Sequence, residues 1–253
     1  MADLSPSLIR LLDDSSFAPL RYGLDESGTG VGSAWVQLTY PWLRTRGSDS
    51  LPDAAESPDG VLTGMLARNA LTRGAFRSAV KQPLVDVYDL FPALSRQEMI
   101  HHSDVRRRPL LERISLFGRS AGDLALLADV TADVDEGYRQ AHVNRLMSLL
   151  VREARRIGTD AVFEPSGEVT WAQVRGQMEA LLRTLYRIGA LNGNTERDAF
   201  DVRCDRTTMT QNDIDNGRLI CTVSVAPAAA IEQIRVVLSF NQNGLVSLLP
   251  AAA

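Results

Sequence analysis

Apolar positions in the middle of the chain recur at steps of three and four. Between Gly137 and Ile157 they fall at Val143, Leu146, Met147, Leu150, Ala154 and Ile157, the stripe of an amphipathic helix, with Gly158 as its stop. Thr170, followed by Gln173 at capping-box spacing, opens a second helix. That helix carries Val174, Met178, Leu181, Leu182, Leu185 and Ile188 and ends at Gly189. A shorter stripe (Leu62, Met65, Leu66, Ala70) predicts a helix over 61–74, and Ser95 to Glu98 repeats the capping-box spacing ahead of a helix reaching about Ser103. Elsewhere the period is two. Trp35, Gln37 and Thr39 alternate with Val36, Leu38 and Tyr40, a strand that Pro41 closes. Segments 84–90, 113–117, 124–128 and 161–164 read as short strands. The last quarter is richer in strands: 199–205 and 219–226 are separated by a polar turn, 210–216, with room for one short helix. Segments 233–240 and 245–249 flank Asn243-Gly244, a hairpin signal. Residues 44–60 read as a surface loop. Residues 1–33, interrupted by Gly23, Gly28, Gly30 and Gly32, read as an extended arm with loops. The pattern predicts an α+β fold with helices packed on a mixed β-sheet. It is organised as an N-terminal arm (1–33), a core domain (34–228) and a C-terminal β-hairpin extension (229–253).

At 253 residues the chain is long enough for one large core or two small ones. Its 27 basic and 31 acidic side chains nearly balance, so nothing in the charge calls for nucleic acid or an anionic membrane as partner. No basic segment followed by an apolar run marks residues 1–10 as a signal peptide, and no stretch approaches the ~20 apolar residues of a membrane span. Synthesis in the cytoplasm is the expectation. Cys204 and Cys221 fall in two predicted adjacent strands and read as buried thiols.

Candidate chemistry is sparse. Gly28-Thr-Gly30-Val-Gly32 lacks the third glycine of a dinucleotide fingerprint, since Ser33 stands there, and lacks the Gly-Lys-Ser/Thr of a phosphate loop. His101 and His102 are adjacent and so diverge on a helix, and His142 stands apart; the reading is no metal and no cofactor. Arg106, Arg107 and Arg108 read as a solvated turn. Gly118-Arg-Ser120-Ala-Gly122 has the letters of a nucleophile elbow after an apolar run, but the following segment is too short for the helix an elbow opens into. A serine hydrolase using Ser120 is therefore the alternative from another functional class, and the chain reads as no enzyme. Asp129, Asp133, Asp135 and Glu136 form an acidic loop without calcium-loop spacing, read as solvated.

From Phe163 to Val225 the sequence resembles the C-terminal conserved region of phage tail sheath proteins. The resemblance rests on Phe163-Glu164-Pro165, Trp171, Arg175, Gly189-Ala-Leu-Asn-Gly193 and Ala199-Phe200. It continues through Arg203-Cys-Asp-Arg-Thr-Thr208, Thr210-Gln-Asn-Asp-Ile214, Gly217-Arg-Leu219 and Val225-Ala-Pro227. Upstream, Tyr40-Pro-Trp-Leu43, Pro58-Asp-Gly-Val61 to Ala67-Arg68, and Asn144-Arg-Leu146 also look like sheath sequence. The order and spacing over about 190 residues carry the resemblance, which is nearest to sheath-like proteins of extracellular contractile injection systems.

The resemblance implies a structural subunit that assembles with copies of itself into six-fold rings around an inner tube protein, with baseplate or cap proteins as further partners. It also implies release as part of a phage-tail-like particle. Terminal arms would be lent to neighbours as added strands. Ile234, Val236, Leu238, Val246 and Leu248 are the candidate inter-subunit strand residues, and Asp213 and Asp215 the candidate tube-facing ones. Three departures from the family pattern stand out. The part ahead of Tyr40-Pro41 is short, Ala228 to Gln233 replaces the usual Pro-Ala-Glu-Phe type of segment, and a further hairpin follows. They leave open a non-contractile cap or baseplate ring, or a start placed within a longer sheath gene.

Overall fold

The computed structural model describes residues 34–100, 110–120, 122–133, 136–162, 164–165, 167–228, 234–240 and 247–250. The described residues form an α+β fold of helices and three sheets, divided into two compact units, the first ending at Arg145 and the second starting at Leu146.

In the first unit, strand β1 (Thr39–Tyr40) runs parallel to β4 (Ser115–Ser120), which forms an antiparallel pair with β5 (Asp123–Leu126), so this sheet is mixed. The predicted strand over 34–40 shrinks to two residues. Its upstream half still bonds to its surroundings, Val36 and Leu38 accepting from the Ala132 and Ser115 amides at 2.8 Å each. After the cis Tyr40–Pro41 peptide the chain does not stop: it continues as β2 (Trp42–Thr45), paired antiparallel with β3 (Val87–Phe91). Helix α1 (Pro58–Thr72) starts with Pro58 in its first turn, where the missing N–H costs nothing. The short α2 (Arg96–Ile100) precedes β4. Two apolar clusters fill the unit. Tyr40, Met99, Leu110, Ile114, Leu116 and Ala128 form one, and the other is built around Leu43, Leu62, Leu90, Phe117 and Leu126.

The predicted surface loop over 44–60 is more ordered than its composition suggests. Ser48 is fully buried. Its hydroxyl accepts from the Thr45 amide at 3.1 Å and lies 2.8 Å from the Ala54 carbonyl, and Glu56 exchanges backbone hydrogen bonds with Leu43.

The predicted helix over 137–157 is two elements, α3 (Glu136–Arg139) and α4 (Ala141–Ala161), separated at Gln140, which bridges to Val130. The whole predicted stripe of α4 is buried. The helix passes through Gly158 to Ala161, which removes the strand expected over 161–164. Helix α5 (Glu168–Arg187) begins two residues ahead of the predicted cap. Gly167 is the N-cap, and the Thr170 hydroxyl, inside the first turn, donates to the Pro165 carbonyl at 2.7 Å. Val174, Met178, Leu182 and Leu185 are buried along it. After α6 (Glu196–Ala199), strand β6 (Phe200–Arg203) joins β7 (Leu219–Val225), β8 (Ile234–Phe240) and β9 (Ser247–Pro250) in a four-stranded antiparallel sheet of order β6-β7-β8-β9. Helix α7 (Gln211–Asp215) lies between β6 and β7.

Candidate assembly surface

The residues that carry the family resemblance gather in the second unit around the connection from β6 to β7. This stretch is polar, yet almost every turn in it is closed by its own side chains. The Asp205 carboxylate accepts from the Thr207 amide at 2.7 Å and from the Thr207 hydroxyl, and both bonds hold its pKa below the usual carboxylate value. The Thr208 hydroxyl lies 2.8 Å from the Ile220 carbonyl and fastens the turn to β7. Thr210 caps α7: its side chain accepts from the Asp213 amide, and the Asp213 carboxylate accepts from the Thr210 amide at 3.0 Å and from the Thr210 hydroxyl at 2.6 Å. The helix ends in a Schellman turn. Gly217 adopts φ +65°, the Gly217 amide donates to the Ile214 carbonyl at 3.0 Å, and the Arg218 amide donates to the Asp213 carbonyl at 2.7 Å.

Helix α5 packs its motif residues beside this connection. Trp171 is buried, with the Arg206 guanidinium 5.9 Å from its ring centroid. Arg175 lies within electrostatic range of both Cys204 and Asp205. The Gly189-to-Gly193 segment links α5 to α6 along residues 226–228: the Asn192 amide donates to the Ala226 carbonyl at 2.8 Å and the Ala228 amide to the Ala190 carbonyl at 3.0 Å. At Gly193 a Cβ would stand 2.7 Å from the Ala199 backbone nitrogen, so only glycine fits this approach.

The two candidate tube-facing acids differ in how free they are. Asp213 is engaged by its own cap and by Arg218, 3.8 Å away, and the Thr210 bonds depress its pKa first among the causes. Asp215 is exposed and accepts only from Gln211, four residues back, at 2.8 Å among the bonds described. Of the candidate strand residues, Ile234, Val236 and Leu238 pair within this chain, opposite Val225, Val223 and Cys221 of β7, and Leu248 stands opposite Leu238. Val246 lies outside the described residues. Among the described residues no strand pairs with the outer edge of β9 or of β6.

One polar centre was misread from the sequence. Asp129 is not a solvated loop residue; its side chain is fully buried in the first unit. Arg145 of α4 donates to it from both terminal nitrogens, at 3.2 and 2.7 Å, and from Nε to the Ala75 carbonyl at 3.2 Å. The Gln37 amide donates to Asp129 at 2.9 Å and to the Ser115 hydroxyl at 2.8 Å, and the Ala79 backbone N–H closes on Asp129 at 3.3 Å. Burial pushes the Asp129 carboxyl up; Arg145, Ala79 and Gln37 together push it further down, and its pKa lies below the usual carboxylate value. Three separate stretches of chain, at Gln37, Ser78–Ala79 and Arg145, therefore meet on one carboxylate. Asp133 is half-buried, and Asp135 and the Glu136 side chain lie outside the described residues.

Ser120 ends β4 opposite Asp123 of β5, so a strand-to-strand hairpin stands where an elbow needs a strand-to-helix turn. It borders a cavity of about 610 Å³ with Asp89, Arg96, Met99 and Arg119, and no histidine is among the described lining residues. His142 sits half-buried on α4, its Nδ1 without a hydrogen-bond partner among the described residues and its pKa lowered by burial. His101, His102, Arg106 to Arg108 and the Gly28–Gly32 run lie outside the described residues. Among the described residues no group of three or more His, Cys, Asp or Glu side chains is placed to hold a metal, and no helix is long and apolar enough to cross a membrane.

Comparison with known proteins agrees with the motif reading. Residues 133–241 match the family model of the phage tail sheath C-terminal domain. No curated protein sequence matches the chain. Among solved structures, the chain is similar to a chain of the six-fold symmetrised anti-feeding prophage baseplate, at 25% identity and TM-score 0.69, covering 84% of this chain and 56% of that one. It is similar to a chain of the contracted sheath complex of an extracellular contractile injection system, PVC, at 25% identity and TM-score 0.67, covering 79% and 55%. The contracted helical sheath of the anti-feeding prophage shares the fold at 23% identity and TM-score 0.69, covering 87% and 65%. The chain thus spans a little over half to about two-thirds of the length of the structures it matches.

Proposed function

From the match to a phage tail sheath C-terminal domain over residues 133–241, in a chain that resembles sheath proteins of contractile injection systems, we propose that this protein is a structural sheath subunit working by assembly. It stacks with copies of itself as six-fold rings around an inner tube, in contact with baseplate or cap proteins, and leaves the cell as part of a phage-tail-like particle. The observation that carries the reading is the convergence of the motif residues. Trp171, Arg175, the Cys204–Thr208 turn and the capped α7 form one ordered unit beside a four-stranded sheet whose two outer edges pair with no other described strand.

In this reading the C-terminal hairpin is an exchangeable arm. Strand β8 pairs with β7 over seven residues in the isolated chain. The same register offers the same backbone hydrogen bonds to a β8 strand lent by a neighbour, so assembly replaces one pairing by its equal and gains the ring contacts besides. Asp215, exposed beside a fixed helix, is the better candidate of the two acids for meeting a tube surface, because Asp213 is already committed to its cap. A second reading, a non-contractile ring at the baseplate or cap, draws support from the likeness to a baseplate chain.

Electron microscopy of the purified protein over a range of concentrations, with and without its inner-tube partner, tests the proposal. Six-fold rings or striated tubes are expected; long tubes favour the barrel and single rings the cap or baseplate. Monomers under every condition refute the assembly role.

A further inference from the structure

The two cysteines of this chain are a matched cross-strand pair. Strands β6 and β7 pair as Phe200 with Val225 through Arg203 with Thr222, and the next step of that register sets Cys204 opposite Cys221. Just outside the ladder the Ala226 amide donates to the Ala199 carbonyl, which makes 199–226 a hydrogen-bonded pair. Alternation along an antiparallel ladder then makes 204–221 a non-hydrogen-bonded pair, the type with Cα atoms about 4.5 Å apart. Disulfides close over Cα separations of about 4.4–6.8 Å. Both cysteines are free and buried, and each shifts the other's pKa, Cys204 downward and Cys221 upward. Cys204 stands where β6, an outermost strand of the sheet, gives way to the 205–208 turn, so fraying of that end exposes its sulfur without unfolding the sheet.

We propose that Cys204 and Cys221 are a redox-modifiable dithiol that a hydroperoxide converts into an intramolecular disulfide, stapling β6 to β7 across the base of the capped connection. The Cys204 thiolate attacks one oxygen of hydrogen peroxide; the O–O bond breaks, the departing hydroxide takes up a proton as water, and Cys204 becomes a sulfenic acid. The Cys221 sulfur then attacks the Cys204 sulfur. The S–O bond breaks, a second water leaves with the thiol proton, and two thiols and one peroxide have become one disulfide and two waters. Cys204 is the sulfur suited to attack first: interaction with Cys221 and then the charge of Arg175 favour its thiolate against burial, whereas interaction with Cys204 and burial push the Cys221 thiol up.

The test uses the full chain, folded, treated with hydrogen peroxide and then denatured in the presence of a thiol-alkylating maleimide. The expected result is a monomer on a non-reducing gel that takes up no maleimide, has lost two hydrogen atoms by intact mass, and recovers both thiols with dithiothreitol. Because the chain has only these two cysteines, such a monomer contains the Cys204–Cys221 bond and no other. The Cys204→Ser variant, treated alike, does not lose the two hydrogen atoms. Four outcomes each overturn the proposal: two maleimides still taken up after treatment, mass gain by oxygen without a cross-link, disulfide-linked dimers in place of the monomer, or closure only when the chain is unfolded before the peroxide is added.

Discussion

Replacing Arg145 by methionine removes the charge that answers the fully buried Asp129 carboxylate while keeping most of the side-chain volume. The loss includes two charge-assisted hydrogen bonds, at 2.7 and 3.2 Å, and the bond to the Ala75 carbonyl. Removing one partner of a buried pair costs about 3–5 kcal/mol, because the other charge is left without compensation. Arg145 is about a quarter exposed and Asp129 keeps the Gln37 and Ala79 donors, so the lower end, about 3 kcal/mol, is expected. With a urea m-value of about 2 kcal/mol/M this lowers the unfolding midpoint of the first unit by about 1.5 M. The pH dependence gives the result its direction. The folded pKa of Asp129 lies below its unfolded value of about 3.9, so its contribution is present above that value and fades as pH falls through the folded pKa. In the variant, burial is left opposed by the neutral donors Gln37, Ala79 and Ser78, and the carboxyl titrates higher. The variant's deficit is therefore largest near neutrality and narrows as acid neutralises Asp129. Urea titrations of wild type and Arg145→Met, followed by circular dichroism at about pH 7 and about pH 4.5, measure both effects. A midpoint loss under about 0.3 M at neutral pH, or an equal loss at both pH values, would refute the account of Asp129 as a charged, compensated hub.

Other expectations follow from single sites. Gly193→Ala sets a Cβ 2.7 Å from backbone rather than from a side chain that can move, so a loss of about 1–3 kcal/mol in thermal or urea unfolding is expected. Thr210→Ala removes the α7 cap and should cost about 0.5–2 kcal/mol, with faster amide exchange at Asp213. Deleting residues 231–253 should leave a folded monomer that forms no rings or tubes under the microscope; loss of solubility with loss of cooperative unfolding would instead make the hairpin part of the core. Asp215→Lys should impair assembly on the tube while leaving the circular dichroism spectrum unchanged, and normal tube decoration would remove Asp215 from the contact. A fluorophosphonate probe should leave Ser120 unlabelled, and stoichiometric labelling would revive the hydrolase reading.

Where a feature depends on neighbours close in sequence, the residues announced it. The short helix within 210–216, the stop at Gly189 and the strands on either side of 243–244 follow from local turn chemistry, and the buried stripe of α4 follows from its period. Three local expectations failed because a competing local interaction won. Gly158 costs a helix only about 1 kcal/mol, too little to end α4, and the Thr159 hydroxyl bonds back to the Arg155 carbonyl at 2.9 Å as the helix continues. Thr170 had a better acceptor in the Pro165 carbonyl than any role as a cap. Ser48 looked like loop composition, but its one hydroxyl serves both sides of a turn. Asp129 failed for a different reason. Its partners Gln37, Ala79 and Arg145 stand at distant points of the chain, and a run of acids carries no mark of which one will be buried. The Asn144-Arg145-Leu146 motif was the available signal, since an arginine on the inner side of an amphipathic helix needs a counter-charge.

The connection from β6 to β7 closes its turns with its own side chains: Asp205 with Thr207, Thr210 with Asp213, and Gly217 at the helix end. A polar segment built this way has surrendered its conformational freedom during folding. A surface that docks against it freezes little more, sparing the roughly 0.5–1.5 kcal/mol that each newly immobilised side chain takes from an association. Gln211 and Asp215, which point outward from that frame, can change in charge or size without disturbing the backbone that presents them. Lineages facing different docking surfaces could therefore rewrite these outward letters one at a time while the frame beneath them is inherited intact.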